Sequence, residues 1–157
     1  ETGLSSRDVF LEQLYTFGAP YRDPRMRVIS VSWYALVRPD LAPLATAGTD
    51  AEAVRWCSLS TLPPLAFDHD RMVSAAVERI RGKLDYAPIA FELVPPTFTI
   101  ADLRQVFEAI KGGAYDRGNF RRRFNRMIED GIIISAPGKR QTASRPAKVY
   151  SFNRSQK

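Results

Sequence analysis

The chain has 157 residues, 45% of them hydrophobic, and a net charge of +6, so it is long and apolar enough to bury a core. Its only cysteine, Cys57, excludes an intrachain disulfide and a cysteine-based zinc cluster. No run approaches the ~20 apolar residues of a membrane span, and no secretion leader is recognisable. We therefore expect a soluble cytoplasmic protein without a membrane partner.

The positive charge is concentrated in the last third of the chain. Residues 1–110 hold 11 Lys or Arg and 14 Asp or Glu, a net charge of −3, whereas residues 111–157 hold 12 and 3, a net charge of +9. A basic segment joined to a nearly neutral one is typical of a polyanion-binding module. The charge alone leaves a solubilising tail as the alternative.

Two strand patterns open the chain. Residues 9–17 alternate and are rich in β-formers, and residues 27–37 continue in the same way. The two prolines of residues 18–25 predict a loop between them. Residues 39–55 resemble a surface insertion, and residues 54–59 are predicted to form one more short strand.

An amphipathic helix is predicted over residues 70–84, where apolar residues recur at three- and four-residue spacing. Asp68 or Asp70 can cap its start. His69 between them suggests a proton-transfer pair, but no nucleophile or metal ligand is near it in sequence, so a capping cluster is favoured. We divide the chain into domains 1–69 and 70–157.

Two helices joined by a glycine turn follow the Pro95-Pro96 pair. Thr99 and Asp102 form a capping box for the first helix, and Gly112-Gly113 end it. The second helix is predicted over residues 116–130, before Gly131. Its apolar face and that of the first helix supply three predicted core residues, Phe107, Phe120 and Phe124.

A β-hairpin with a basic tip completes the pattern. Residues 132–134 and 148–152 are predicted as strands, joined by a loop that contains Pro137, Gly138 and several cations. Helix, turn, helix and basic hairpin in this order predict a winged helix, with the helix over residues 70–84 as a third packing partner.

The cations of this segment are predicted to bind double-stranded DNA, since phosphates attract fixed positive charge and Arg or Asn can bond base edges. Candidates for base contact are Arg117, Asn119, Arg121 and Arg122. Candidates for the remaining contacts, mainly to phosphates, are Arg123, Arg126, Lys139, Arg140, Arg145 and Lys148. The alternative is a solvated helix face paired with acids, for which only Asp116, Glu129 and Asp130 are available locally.

Several segments together resemble the Nudix-related transcriptional regulators. The chain opens with ETGL, which resembles the end of the Nudix box, and continues with LEQLYTFGAPYRDPRMRVISVSWYALV at residues 11–37. The stretch from LAFDHDRMV to LRQVFEAI at residues 65–110, then DRGNFRRRF and RPAKVYSF, extend the likeness over nearly the whole chain. The resemblance implies an α+β protein, a partial Nudix-like α/β/α sandwich followed by a winged helix-turn-helix.

The resemblance also implies a function. In that family a Nudix-like domain senses ADP-ribose or a related nucleotide or sugar, and a homodimer binds a palindromic operator near genes of NAD metabolism. The resemblance therefore implies that this protein is a repressor that requires no cofactor. An alternative from the residues alone is a non-specific nucleic-acid-binding protein.

Candidate ligand-binding residues lie in the first half. Arg22, Asp23 and Arg25 occupy the loop between the strands, where Arg could bind a diphosphate, and Tyr21 or Trp56 could stack on a base. The alternative is a structural Arg-Asp-Arg loop that pins the two strands together.

The Nudix box itself is incomplete in this sequence. Its opening Gly, first Glu and Arg-Glu pair have no counterpart, and Glu1 is the one matching residue that would hold Mg²⁺. A magnesium site is therefore expected only in a longer parent protein. The alternative function is a Mg²⁺-dependent ADP-ribose pyrophosphatase with an accessory basic domain.

Overall fold

The computed structural model describes residues 4, 9–47, 52–85, 88–141, 145–153 and 155. The chain divides into two compact units, residues 1–82 and residues 83–157. The first of these units includes all but the last residue of the helix His69–Lys83, whereas the domain boundary predicted after residue 69 stays a prediction. None of the helices in these described ranges is long and apolar enough to cross a membrane.

The first unit contains an antiparallel hairpin and one helix. Strand β1, Phe10–Phe17, pairs with β2, Ser30–Leu36, with a bulge between Gln13 and Thr16. Helix α1 runs over His69–Lys83. Both strands and the helix were predicted, although β2 begins three residues later than its pattern.

The strand predicted over residues 54–59 is wrong. The described residues before Leu59 are irregular, and a short 3-10 helix, Leu59–Thr61, follows them. The apolar residues of this stretch are exposed, with Val54 at 42% and Trp56 at 63%. An alternating pattern forms a strand where one of its faces is buried, and here neither face is.

The second unit begins with a 3-10 helix, Pro88–Glu92, and contains two helices with well-formed ends. Helix α2, Ile100–Lys111, starts in the predicted capping box and ends at Gly112, whose φ of 78° needs glycine. Helix α3, Arg117–Glu129, is capped by the Asp116 side chain and is followed by Gly131 at a φ of 71°. These elements agree with the helices predicted from the sequence.

A β-hairpin closes the second unit. Strand β3, Ile133–Arg140, pairs with β4, Ala147–Phe152, and an antiparallel bridge joins Phe98 to Tyr150. Strand β3 is longer than predicted, so Lys139 and Arg140 lie in the strand and not in the loop. A register shift between Ser135 and Lys139 accommodates Pro137 and Gly138, which read as a loop in sequence.

The core of the second unit is built from aromatic side chains. Phe107, Phe120 and Phe124 are at most 2% exposed, which confirms their predicted core positions. The Phe107 and Phe120 rings meet edge to face at 5.3 Å, and Phe124 meets Tyr150 in the same way at 4.9 Å. These contacts fix α3 against α2 and the hairpin, and so determine which side of α3 faces outward.

Candidate nucleic-acid interface

The outward side of α3 is cationic. Arg117, Arg121, Arg122 and Arg126 are all exposed. Within the described parts of the chain, Arg117, Arg121 and Arg126 have no ion pair or hydrogen bond for their guanidinium groups. The alternative of a helix face paired with acids does not describe these three arginines.

The spacing of these arginines costs helix stability. Arg117 with Arg121, and Arg122 with Arg126, are like charges four residues apart, and each such pair destabilises a helix by about 0.2–0.5 kcal/mol. A row of phosphates would reverse the sign of this term, since each guanidinium would then face a negative charge. The helix therefore suits a polyanion better than it suits water.

Asn119 and Arg122 contact each other. The Asn119 backbone N–H donates to Asp116 Oδ1 at 2.8 Å and closes the N-terminal cap of α3. Its side-chain carbonyl oxygen accepts a hydrogen bond from Arg122 Nη2. Both residues are exposed at the N-terminal half of α3, where base contact was predicted.

The hairpin adds a second cationic feature. Lys139 on β3 lies directly opposite Lys148 on β4, and both side chains are exposed. Like charges opposite one another destabilise a strand pair, and no carboxylate in the described ranges pairs with either lysine. Arg145, also exposed, precedes β4 on the same hairpin.

Two of the predicted DNA-binding arginines have hydrogen-bond partners within the unit. Arg123 donates to Asp85 at 2.7 Å and to the Leu84 carbonyl at 3.0 Å, with its guanidinium 4.8 Å from the Phe107 ring centre. Arg123 is three residues after Phe120, which places it beside the core face of α3. Helical spacing alone could have predicted this position from the sequence.

Arg140 is the second arginine with partners in the unit. It donates to Asp102 at 2.5 Å and to the Thr97 carbonyl at 2.8 Å, so it joins the hairpin to the capping box of α2. These contacts stabilise the unit, and DNA contact by Arg123 or Arg140 stays a prediction.

The predicted ligand-binding loop is held together internally. Arg22 donates to both carboxylate oxygens of Asp68, at 3.0 and 2.8 Å, and to Ser30, with a side chain only 5% exposed. This pairing lowers the pKa of Asp68. Arg22 therefore joins the loop to Ser30 at the start of β2 and to Asp68, which immediately precedes α1.

The other predicted ligand residues are exposed or paired. Asp23 accepts from the Arg25 side chain and backbone, which lowers the pKa of Asp23 to about 2. The Arg25 guanidinium lies 5.0 Å from the Phe67 ring centre. Tyr21 is 94% exposed, and Trp56 Nε1 donates to the Ala42 carbonyl at 2.9 Å. A role of the five residues in ligand binding therefore stays a prediction.

The predicted metal ligand, Glu1, lies outside the described residues. The described ranges contain no group of three or more His, Cys, Asp or Glu side chains that could hold a metal ion. Those residues therefore do not fit the magnesium site that a complete Nudix box would supply. His69 lies beside the Phe67 ring, with 6.0 Å between the ring centres.

The second unit is similar to a known DNA-binding domain. Residues 90–152 match the model of the NrtR DNA-binding winged helix domain. They form a winged helix that is similar to that domain. Helices α2 and α3 and the β3–β4 hairpin of this winged helix lie entirely within the matched range.

Two characterised relatives match the chain. The ADPR responsive transcriptional repressor NtrR of Acinetobacter baylyi is 31% identical over 154 residues, which are 97% of this chain and 59% of that protein. An ADP-ribose pyrophosphatase of Methanocaldococcus jannaschii is 37% identical over 73 residues, 46% of this chain and 40% of the enzyme. The chain thus spans about three fifths of the repressor that it matches.

Two solved structures superpose on the chain. Shewanella oneidensis NrtR in complex with a 27mer DNA matches with a TM-score of 0.75 and 29% identity, covering 92% of this chain and 64% of that one. A MutT/nudix family protein from Enterococcus faecalis shares the fold, with a TM-score of 0.67 and 24% identity over 96% and 64% of the two chains. The predicted resemblance to Nudix-related regulators is confirmed, as is the α+β fold of a partial Nudix-like sandwich and a winged helix.

Proposed function

We propose that this chain is the DNA-binding part of a transcriptional repressor that responds to ADP-ribose or a related nucleotide or sugar. One observation carries the DNA-binding half of the proposal. Arg117, Arg121 and Arg126 project from α3 without partners in the described ranges, next to a hairpin that places Lys139 opposite Lys148. Both arrangements are unfavourable in water and favourable against phosphates.

The relatives support the assignment to gene regulation. The NrtR of Shewanella oneidensis was solved with DNA, and the Acinetobacter relative is named as an ADPR responsive repressor. Control of NAD metabolism genes by a cytoplasmic homodimer on a palindromic operator follows from the family resemblance. The ligand would act by favouring a conformation that no longer fits the operator.

A titration with the Arg121→Ala variant tests DNA binding. The probe is a duplex selected by the wild-type chain from a randomised pool, at moderate salt. Loss of one arginine contact weakens binding by about 1–3 kcal/mol, with the fold unchanged by circular dichroism. Arg25→Ala is the matched control, because Arg25 is an exposed arginine of the first unit. Equal affinity of wild type and Arg121→Ala would contradict the α3 assignment.

Adding ADP-ribose to the same titration tests sensing separately. A change in DNA affinity on adding ADP-ribose supports the effector, whereas an unchanged affinity removes ADP-ribose from the proposal and leaves the DNA result intact. The full-length parent is the appropriate protein for this measurement, since the chain covers about three fifths of the repressor that it matches.

Hydrolysis of ADP-ribose is the second candidate, supported by the match to the Methanocaldococcus pyrophosphatase. It needs Mg²⁺ held by carboxylates of a complete Nudix box. Release of AMP from ADP-ribose by the full-length parent, with and without Mg²⁺, distinguishes an enzyme from a sensor. We expect little or no turnover.

A further inference from the structure

An asparagine that the sequence prediction did not select lies on the outward side of α3. Phe120 and Phe124 are 1% exposed and point into the core. Successive helical residues are turned by about 100°, so a residue two positions from a core residue lies on the opposite side. Arg122 meets this condition for both phenylalanines. Asn125 lies three residues further along the same side, and both are exposed.

The Asn125 amide is available for a ligand, unlike that of Asn119. In the described portion of the chain, the side chain of Asn125 makes no hydrogen bond, whereas the Asn119 carbonyl oxygen is occupied by Arg122. An asparagine that recognises adenine uses both halves of its amide, donating to N7 and accepting from the N6 amino group. Asn125 offers both groups at once.

Gly118 and Glu129 lie at the two ends of the outward side of α3 and mark the limits of the surface that a duplex could contact. Gly118 lies four residues before Arg122, and only Asp116 Oδ1, at 3.3 Å, lies near the position of its missing Cβ. Its φ is not positive, so the backbone does not require glycine there, although glycine weakens a helix relative to alanine. A bare position lets a duplex approach closely. Glu129, four residues beyond Asn125, carries a charge that repels phosphates.

We propose that Asn125 is a base-reading residue of α3 that selects adenine in the major groove. Arg122, on the same side of α3, would contact the neighbouring base pair. This inference rests on the proposed DNA-binding function. It replaces Asn119, whose side-chain oxygen accepts a hydrogen bond from Arg122, as the residue that forms the bidentate contact with adenine.

Selection from a randomised duplex pool tests the proposal, with the full chain as wild type, Asn125→Ala and Asn125→Asp. Wild type is expected to prefer adenine at one operator position, and Asn125→Ala to lose about tenfold of that preference, because a bidentate pair carries it. Aspartate can accept from the cytosine N4 amino group but cannot donate to N7, so Asn125→Asp is expected to change the preferred base from adenine to cytosine. Asn119→Ala is the comparison variant, and it is expected to keep the adenine preference that Asn125 supplies.

Three results separate the outcomes. Unchanged base preference in both Asn125 variants, with circular dichroism as in wild type, overturns the proposal. Loss of the adenine preference in Asn119→Ala but not in Asn125→Ala also overturns it and returns the role to Asn119. Failure of the wild-type chain to select any sequence contradicts the proposed function itself. Because Asn125 is uncharged, the salt dependence of binding should be the same in wild type and Asn125→Ala.

Discussion

The outward arginines of helix α3 differ in their partners from four arginines of the first unit. Four arginines of the first unit are paired with carboxylates of that unit; they are Arg22, Arg25, Arg38 and Arg79. Arginines on the outward side of α3 have no such partner in the described ranges, as Arg117, Arg121 and Arg126 show. Arginines with a carboxylate partner stabilise the fold, whereas arginines of α3 that lack one are available to bind a ligand.

The two units also differ in how they are stabilised. In the described part of the first unit, the buried apolar side chains are Leu14, Tyr34 and Leu36, all on one face of the β1–β2 hairpin. Trp33, on the other face, is 56% exposed. The second unit instead contains a contiguous aromatic core. Ion pairs therefore matter more for the first unit, and packing for the second.

The largest effect that follows from this difference is expected for Phe124→Ala. Truncating a ring that is 1% exposed should destabilise the second unit by about 3–5 kcal/mol. Urea unfolding followed by circular dichroism measures the loss. Tyr21→Ala, which removes a ring that is 94% exposed, is the control and should leave the midpoint unchanged. Equal midpoints for wild type and Phe124→Ala would show that the aromatic core is not what stabilises α2 and α3.

An intermediate effect, with opposite signs for stability and binding, is expected for Lys139→Ala. Removing one of two facing lysines should raise stability by about 0.2–1 kcal/mol. DNA affinity should fall about equally for all sequences, and the slope of log affinity against log salt should decrease by about 1.

Lys139→Glu sharpens the same test. It places a carboxylate opposite Lys148, so the hairpin should be more stable than in Lys139→Ala while DNA binding weakens further. A lysine that serves stability instead of binding would give the reverse order, with Lys139→Ala less stable than wild type and DNA affinity unaltered.

The smallest effect is expected at acid pH in the first unit. The Arg25 side chain and backbone lower the pKa of Asp23 to about 2, so the folded state favours the carboxylate. The resulting stability is present above the unfolded pKa of about 4 and is lost as the pH falls from there toward the folded value. Asn at position 23 removes this dependence. Parallel pH profiles of the unfolding midpoint for wild type and Asp23→Asn would contradict the assignment.

Helix ends and core faces could be predicted well from sequence, because each depends on local spacing. The capping box at Thr99, the glycine after α2 and the three core phenylalanines were all correct. The strand over residues 54–59 was wrong because its alternation lacks a face to bury, which depends on distant parts of the chain.

The site residues were harder to predict for a related reason. The sequence shows that Arg121 and Arg123 are both cations of one helix. Only Arg123 lies on the side of α3 where it finds partners within the unit, at Asp85 and the Leu84 carbonyl. Arg140 finds Asp102 across 38 positions of sequence, a distance that local patterns do not span. Arg22 likewise finds its partner Asp68 46 positions away.

The hairpin of the second unit is fastened at its base to the start of α2. Phe98 and Tyr150 exchange two backbone hydrogen bonds, at 2.9 and 2.8 Å, and Arg140 reaches the Thr97 carbonyl from the same hairpin. The two described strands of the hairpin are thus held in place within the unit itself. A flexible hairpin would lose conformational entropy when it binds DNA. The strands described here have already lost that entropy on folding, so the entropic cost of DNA binding is smaller.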